Sequence, residues 1–390
     1  MNKAILHKDV QDFISENLNH DITKLILKGS PFKTITIQEL AEQIVAKKKC
    51  KNKLPTWFNN QNIYYPNKLN IEQTSSETTA NYKANLINGK SIIDLTGGFG
   101  VDCLAFSKHF TDVTHCEINK PLSKIVNLNY KQLNIKNISI IADDGLQYLS
   151  KCSTVYDWIY IDPSRRDDLK KRVFLLMDCL PNIPKNLDLL FQFSNNILIK
   201  TAPLLDINAA INEMKFVKEI HIIALNNDVK EVLYILEKGF TKTIGYKTIN
   251  FTKDKNHFFD FTFSNINANY ALPKKYLYEP NAAILKSGAF NNIAIQLNID
   301  KLHKHSHLYT STVLVDFPGR CFIINAIHPY SAKKIAKLVS NKKANVTTRN
   351  FPESVAQIRK KTNLKDGGNL YLFFTTNCNN EKIVIFCEKF

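Results

Sequence analysis

From Lys90 to about Leu236 short apolar runs alternate with amphipathic segments, and this alternation constrains the fold more than any other feature of the 390-residue chain. SIIDLT, DVTHCEI, ISIIAD, YDWIYID and NILIKTA read as strands. VDCLAFSKHF, KPLSKIVNLNYKQL, GLQYLSK and INAAINEMK read as the helices between them, and RVFLLMDCL and the stretch around LDLLFQF are expected to be helical too. Strands alternating with helices imply a parallel sheet covered on both faces. EIHIIALNNDVKEVLYILEKG closes the series as two strands around Asn226-Asn227, a turn-like pair that adds an antiparallel element.

The flanks differ. Residues 1 to 55 place Val10, Phe13, Ile14 and Leu18, then Ile37, Leu40, Ile44 and Val45, at helical spacing, with Thr36 as N-cap of the second helix. Ser75 and Ser76 precede a further helix that Asn88-Gly89 would end. Beyond about residue 250 the alternation lapses: NHFFDFTF, RCFIINAI, ANVTTRNF, LYLFFTT and KIVIFCEKF read as strands, YSAKKIAKLV and PESVAQIRKKT as helices. No apolar run approaches the roughly 18 residues of a membrane span, and the first twenty residues lack the apolar stretch of a secretory signal, so a soluble cytoplasmic protein is expected. None of the eight cysteines stands at CxxC spacing, no zinc pattern is completed, and reduced thiols follow. His303, His305 and His307 stand at period two on what reads as an exposed loop, with no nearby Cys to complete a metal site.

Chemistry concentrates at the strand ends. Asp94-Leu-Thr-Gly-Gly-Phe-Gly-Val-Asp102 lies between a strand and a helix, and Gly97, Gly98 and Gly100 let the backbone turn and approach a ligand. Open α/β sheets bind ligands beyond the C-terminal ends of their strands. The glycines do not match GxGxxG, no Gly-Lys-Ser/Thr follows, and the flanking acids would repel phosphate. A cationic ligand is favoured instead, and S-adenosylmethionine carries a sulfonium and an ammonium. Glu117 ends the second strand, where it could accept the ribose hydroxyls. Asp144, or its neighbour Asp143, ends the third, in reach of an adenine amine; Asp162 ends the fourth and opens Asp162-Pro-Ser-Arg-Arg166.

On these residues the stretch from about Leu69 to Leu236 resembles a class I S-adenosylmethionine-dependent methyltransferase. LNIEQTSSETTANYK, DLTGGFGVD and DPSRR, with YLYEPNAAILKSGAF, DFPGR and TTRNFPESVAQIRKKTNLKDGGNLYLFFTT, are similar to a bacterial group that carries a ferredoxin-like segment and a THUMP-like domain. The resemblance implies a Rossmann-like, seven-stranded α/β sheet. It divides the chain into an N-terminal helical segment (1–55), a methyltransferase domain (56–250), a ferredoxin-like segment (251–312) and a small α+β THUMP-like domain (313–390). It implies methyl transfer, and its THUMP-like part implies RNA as substrate. Asp94, Gly98 and Gly100 match the first motif, where Thr96 stands in place of the commoner glycine. Asp162-Pro163 matches the start of the Asp/Asn-Pro-Pro-aromatic motif, whose carboxylate and carbonyl accept hydrogen bonds from an exocyclic amine. Ser164 replaces the second proline and Arg165 the aromatic.

Asp162, Pro163 and Arg165 are therefore the expected catalytic residues, with Arg166 holding phosphate or base. Ser75 and Ser76 are expected as hydrogen-bond donors over the methionine end. The formal charge is +17, and residues 240–390 hold 22 Lys/Arg against 9 Asp/Glu, that is +13 of it. Arg349, Arg359, Lys360, Lys361 and Lys365 cluster there, and phosphate contact is the functional reading. Two alternatives stand beside an RNA methyltransferase: a small-molecule or protein methyltransferase whose tail dimerises, and a catalytically silent S-adenosylmethionine- or RNA-binding protein.

Overall fold

The computed structural model describes residues 1–165, 175–264 and 266–390. The described chain forms two compact units, residues 1–217 with 234–241, and residues 218–233 with 242–390.

In the first unit strands β1 (Ser91–Asp94), β2 (Asp112–Cys116), β3 (Ile138–Ile141), β4 (Trp158–Ile161) and β5 (Asn196–Thr201) stand in the order β5-β4-β1-β2-β3, and all neighbouring strands run parallel. The alternation read from the sequence produces this directly, because each crossover helix must return the chain to the same end of the sheet. Isoleucines dominate the strands, and Ile92, Ile93, Ile159, Ile161, Ile197 and Ile199 are all inaccessible to solvent. β6 (Val217–Leu225) and β7 (Asp228–Glu237) follow, joined by Asn226 and Asn227 at φ 49° and 64°, the left-handed backbone of a tight hairpin. With β8 (Gly245–Phe251) and β9 (His257–Thr262), the sheet numbers nine strands, two more than the seven expected. The RVFLLMDCL helix is not found among its described residues: Leu176–Asp178 is one 3₁₀ turn, and Cys179–Leu180 pairs with Ser164–Arg165 in a two-strand ladder.

Residues 1–55 are helical as expected. Helix Ile37–Lys53 opens with a capping box between Thr36 and Glu39. Ile5, Val10, Ile14, Leu40 and Ile44 form a buried cluster, against which Ile125 and Leu128 of helix Lys120–Gln132 pack. This segment thus packs on a crossover helix of the sheet.

The second unit holds a seven-stranded sheet of β10 (Tyr276–Pro280), β11 (Asp300–Lys301), β12 (Tyr309–Ser311), β13 (Gly319–Pro329), β14 (Asn345–Arg349), β15 (Leu370–Thr376) and β16 (Lys382–Lys389), in the order β11-β12-β10-β13-β16-β15-β14. Helices Ala332–Leu338 and Val355–Thr362 cover one core, through Ile335, Ile358, Leu372 and Phe374. Glu279 on β10 is 3% exposed and carries two guanidinium groups, Arg320 from β13 and Arg349 from the end of β14 at 2.8 Å. His303, read as exposed, is buried. Its Nδ1 lies 3.1 Å from the His305 N–H and 2.9 Å from the Asn350 amide, and its Nε2 lies 3.2 Å from the Asn380 side-chain oxygen. Among the described residues no His, Cys, Asp and Glu cluster could hold a metal, and no helix is long and apolar enough to cross a membrane. Replacing Glu279 by Ala removes the acceptor of two partly exposed arginines, and urea denaturation of E279A is expected to show a loss of about 1–3 kcal/mol.

Candidate functional site

Sheet register builds the site. Asp94, the last residue of β1, stands level with His115 on β2 and Tyr160 on β4. Glu117 and Asp162 each lie two residues farther on, so both emerge beyond the same edge as Asp94. Asp144 follows β3 and caps helix Gly145–Lys151 by accepting from the Gln147 N–H at 2.9 Å. The sequence expectation of an acid beyond each of four strands therefore becomes a row, in the order Asp162, Asp94, Glu117, Asp144. β1 lies between β4 and β2, the point where strand order reverses and where such sheets bind ligands.

The glycine loop fills the gap between β1 and its helix. Gly98 takes φ +54°, and a Cβ built on it would meet nothing closer than the Thr96 carbonyl at 3.8 Å, so this face is open. Gly100 takes φ +79°, and its Cβ would run into the Tyr130 hydroxyl at 2.2 Å. Gly97 donates its N–H to the Cys116 carbonyl at 2.7 Å. Glu117 ties the loop to β2: its carboxylate accepts from the Gly98 N–H at 2.9 Å and the Asn119 N–H at 2.6 Å. Burial raises the Glu117 carboxyl above its ordinary range, and those two N–H bonds work against that rise.

Asp94 is 1% exposed. It accepts from the Thr96 N–H at 2.8 Å, the Thr96 hydroxyl at 3.2 Å and the Cys103 thiol at 3.3 Å. Burial, reinforced by the neighbouring Asp102 and Asp162, pushes its carboxyl up to about 7 despite the bond from Thr96. Thr96, the departure from glycine, has a second task. Its hydroxyl accepts the Asp162 N–H at 2.7 Å, so it joins the ends of β1 and β4.

Three groups here were not singled out from the sequence. Lys83, fully buried in helix Glu77–Leu86, lies 3.2 Å from the Asp102 carboxylate, which also accepts from Ser75 at 2.9 Å and Tyr160 at 2.8 Å. Burial works to raise Asp102, but Lys83, Lys200 and these hydroxyls outweigh it and hold the carboxyl below its ordinary value. Lys200 on β5 forms an ion pair with Asp162. His115 is fully buried, and burial lowers it to about 4, so its ring is neutral at pH 7. A lysine spaced to face the apolar side of a helix, and a lone lysine inside an apolar strand, are the signals that could have found the first two.

The serines divide their roles. Ser76 is the N-cap of helix Glu77–Leu86, accepting from the Thr79 N–H at 3.2 Å. Ser75 gives its hydroxyl proton to Asp102 and accepts from Lys83 at 3.1 Å, so it serves this buried network. Pro163 is buried beside Asp162, and Arg165 pairs through its backbone with Cys179. Arg166 lies outside the described residues. In the second unit Arg349 holds Glu279, and Arg359 donates to the Leu364 and Ala344 carbonyls and pairs with Asp366, so both guanidiniums serve the fold. Lys360 is exposed. Exposed Lys333, Lys334 and Lys337 stand on the neighbouring helix Ala332–Leu338.

An acid-lined, glycine-looped rim on a parallel sheet marks a Rossmann-like α/β architecture. Comparison with known proteins agrees. Residues 49–192 match the family described as conserved hypothetical protein 95, residues 276–318 a ferredoxin-like domain and residues 319–389 a THUMP domain-like family. A crystal structure from Porphyromonas gingivalis W83, classed provisionally as a methyltransferase, is 30% identical over 99% of this chain and 98% of that one, with a TM-score of 0.88. The ribosomal RNA small subunit methyltransferase D of Buchnera aphidicola is 31% identical over 129 residues, 32% of this chain and 68% of that protein. An uncharacterized RNA methyltransferase of Mycoplasma mobile is 31% identical over 77 residues, 20% of this chain and 21% of that protein. The chain belongs to the S-adenosylmethionine-dependent methyltransferases that carry a C-terminal THUMP-like domain.

Asp94 gives this site a pH signature. The native state keeps a proton that the unfolded chain has lost between about pH 4 and 7, so ligand-free stability is expected to fall by a few kcal/mol as pH rises through that window. Asp94→Asn removes this term. Urea denaturation at pH 5 and pH 8 should show a smaller loss in D94N than in the natural protein.

Proposed function

We propose that this protein transfers a methyl group from S-adenosylmethionine to an exocyclic amine on a base of a structured RNA. The observation that carries the reading is the row Asp162, Asp94, Glu117 and Asp144 along one rim, beside the open face of Gly98. Asp94 would meet the positively charged methionine end of the donor, Glu117 the ribose hydroxyls and Asp144 the adenine amine. A cation at Asp94 favours its ionised form, so donor affinity should rise with pH up to about 7.

Asp162 and the Pro163 carbonyl are the acceptors for the target amine. With its two N–H groups engaged, the nitrogen presents its lone pair in line with the methyl–sulfur bond, and positioning of this kind supplies much of the rate. The basic C-terminal third supports RNA as the partner, as do the RNA methyltransferases among the relatives. Phosphate contact falls to exposed Lys333, Lys334, Lys337 and Lys360, because the arginines are engaged within the fold.

The reading is tested by mass spectrometry of modified nucleosides in total RNA with and without the protein, which should show one methylated base missing in its absence. Asp162→Ala, which removes the acceptor, should cut transfer by about a thousandfold while leaving donor affinity within about threefold. Gly98→Leu should instead abolish donor binding in calorimetry, because its side chain enters the open face. A triple Glu substitution at Lys333, Lys334 and Lys337 should lower the salt slope of RNA affinity by about one for each phosphate no longer neutralised.

A further inference from the structure

Register places Lys200 beside Asp162: Ile161 on β4 pairs with Ile199 on β5, so the next residue of each strand is level. Its neighbours Ile197, Leu198 and Ile199 are inaccessible, and its own side chain is 12% exposed. A lysine so placed is tolerated only when paired. Its ammonium meets Oδ2 of Asp162, while the Asp162 N–H is fixed on the Thr96 hydroxyl. Among the described residues Oδ1 has no bonding partner, which leaves it as the acceptor for a substrate.

We propose that Lys200 is a positioning and selectivity residue: by pairing with Asp162 it leaves the acceptor side of the site without net charge, so that the site takes an uncharged amine and turns away an ammonium group. This rests on the assignment of Asp162 above and deepens it, because it separates nucleobase amines from protein or small-molecule ammonium groups. An unpaired Asp162 would attract any cation. Beside Lys200, an alkylammonium meets a like charge, whereas a base amine brings two neutral N–H donors. The reaction balances without a further co-reactant. The amine lone pair forms the N–CH₃ bond, the C–S bond breaks with its electrons passing to sulfur as a thioether, and the displaced N–H proton leaves to water. Lys200 also faces Asp102, but that carboxylate keeps Lys83, Tyr160 and Ser75.

Two measurements test this. The first is binding of n-butylammonium, followed by NMR, to protein loaded with S-adenosylhomocysteine. K200M should bind it at least about tenfold more tightly than the natural protein, and K200M/D162N should lose that gain. Equal binding in all three overturns the proposal whatever the substrate. The second is methyl transfer from S-adenosylmethionine to total RNA from cells lacking the protein. K200M should lower kcat by about a hundredfold with donor Kd within about threefold, and K200R should restore at least about a tenth of the activity. Undiminished kcat in K200M overturns the proposal, while labelling of that RNA leaves the RNA reading intact. The butylammonium gain without any RNA labelling upholds the charge selection and removes the RNA reading. Should K200M not fold, K200Q carries both comparisons.

Discussion

Carboxylates buried along the rim of a sheet need cations or hydrogen-bond donors buried with them, and the first unit is organised around that constraint. Asp94, Asp102 and Asp162 sit within one another's field, and Lys83 and Lys200 are the two cations supplied. Among the described residues that leaves the third of these acids without a lysine of its own. That acid is Asp94, which has hydroxyl, thiol and amide donors; burial, with the neighbouring Asp102 and Asp162, raises its carboxyl. A protein that binds a cationic donor can leave this deficit standing, since the proposed ligand carries the missing charge. The Lys83–Asp102 pair also pins helix Glu77–Leu86 to helix Val101–Phe106, so one ion pair serves both the fold and the floor of the site.

Much of this was legible in the sequence because strands and crossover helices have different periods, and because the ends of parallel strands must fall together. Once SIID, DVTHC, ISII and WIYI are strands, Asp94, Glu117, Asp144 and Asp162 can only line one edge. The partners of the two lysines were not legible. Lys83 and Asp102, like Lys200 and Asp162, are far apart in sequence, and no local pattern announces a partner that only the register brings close. Ser75 looked like a ligand donor for the same reason: its acceptor, Asp102, lies in another element. Ser76, expected beside it as a donor over the methionine end, caps its own helix through a partner three residues away. The RVFLLMDCL segment has enough apolar residues for a helix, yet its described part forms a 3₁₀ turn and a short ladder with Ser164–Arg165.

Thr96 shows how a departure from a family pattern can be structural gain. Glycine at this position would leave the loop after β1 and the loop after β4 connected only through the sheet. The threonine hydroxyl donates to the Asp94 carboxylate and accepts from the Asp162 backbone N–H, so one short chain of hydrogen bonds ties that carboxylate to the backbone that carries Asp162. In the proposed reaction Asp94 faces the methyl donor and Asp162 the acceptor. A shared hydroxyl between them limits independent motion of the two halves, which matters where rate comes from alignment.

Charge in the second unit requires a similar correction from sequence to structure. Six of the basic side chains are held by acids of the same unit: Arg320 and Arg349 on Glu279, Arg359 on Asp366, Lys361 on Glu353, Lys255 on Asp316 and Lys274 on Asp300. What faces solvent on the two helices is lysine, a mobile point charge, whereas the guanidiniums that could read a base or grip a phosphate with two bonds are committed to the fold. Such lysines hold a polyanion without regard to its sequence. In the proposed reaction, discrimination among RNAs would then come from the shape of the base presented to the rim of the first unit and from what the Asp162–Lys200 pair admits there.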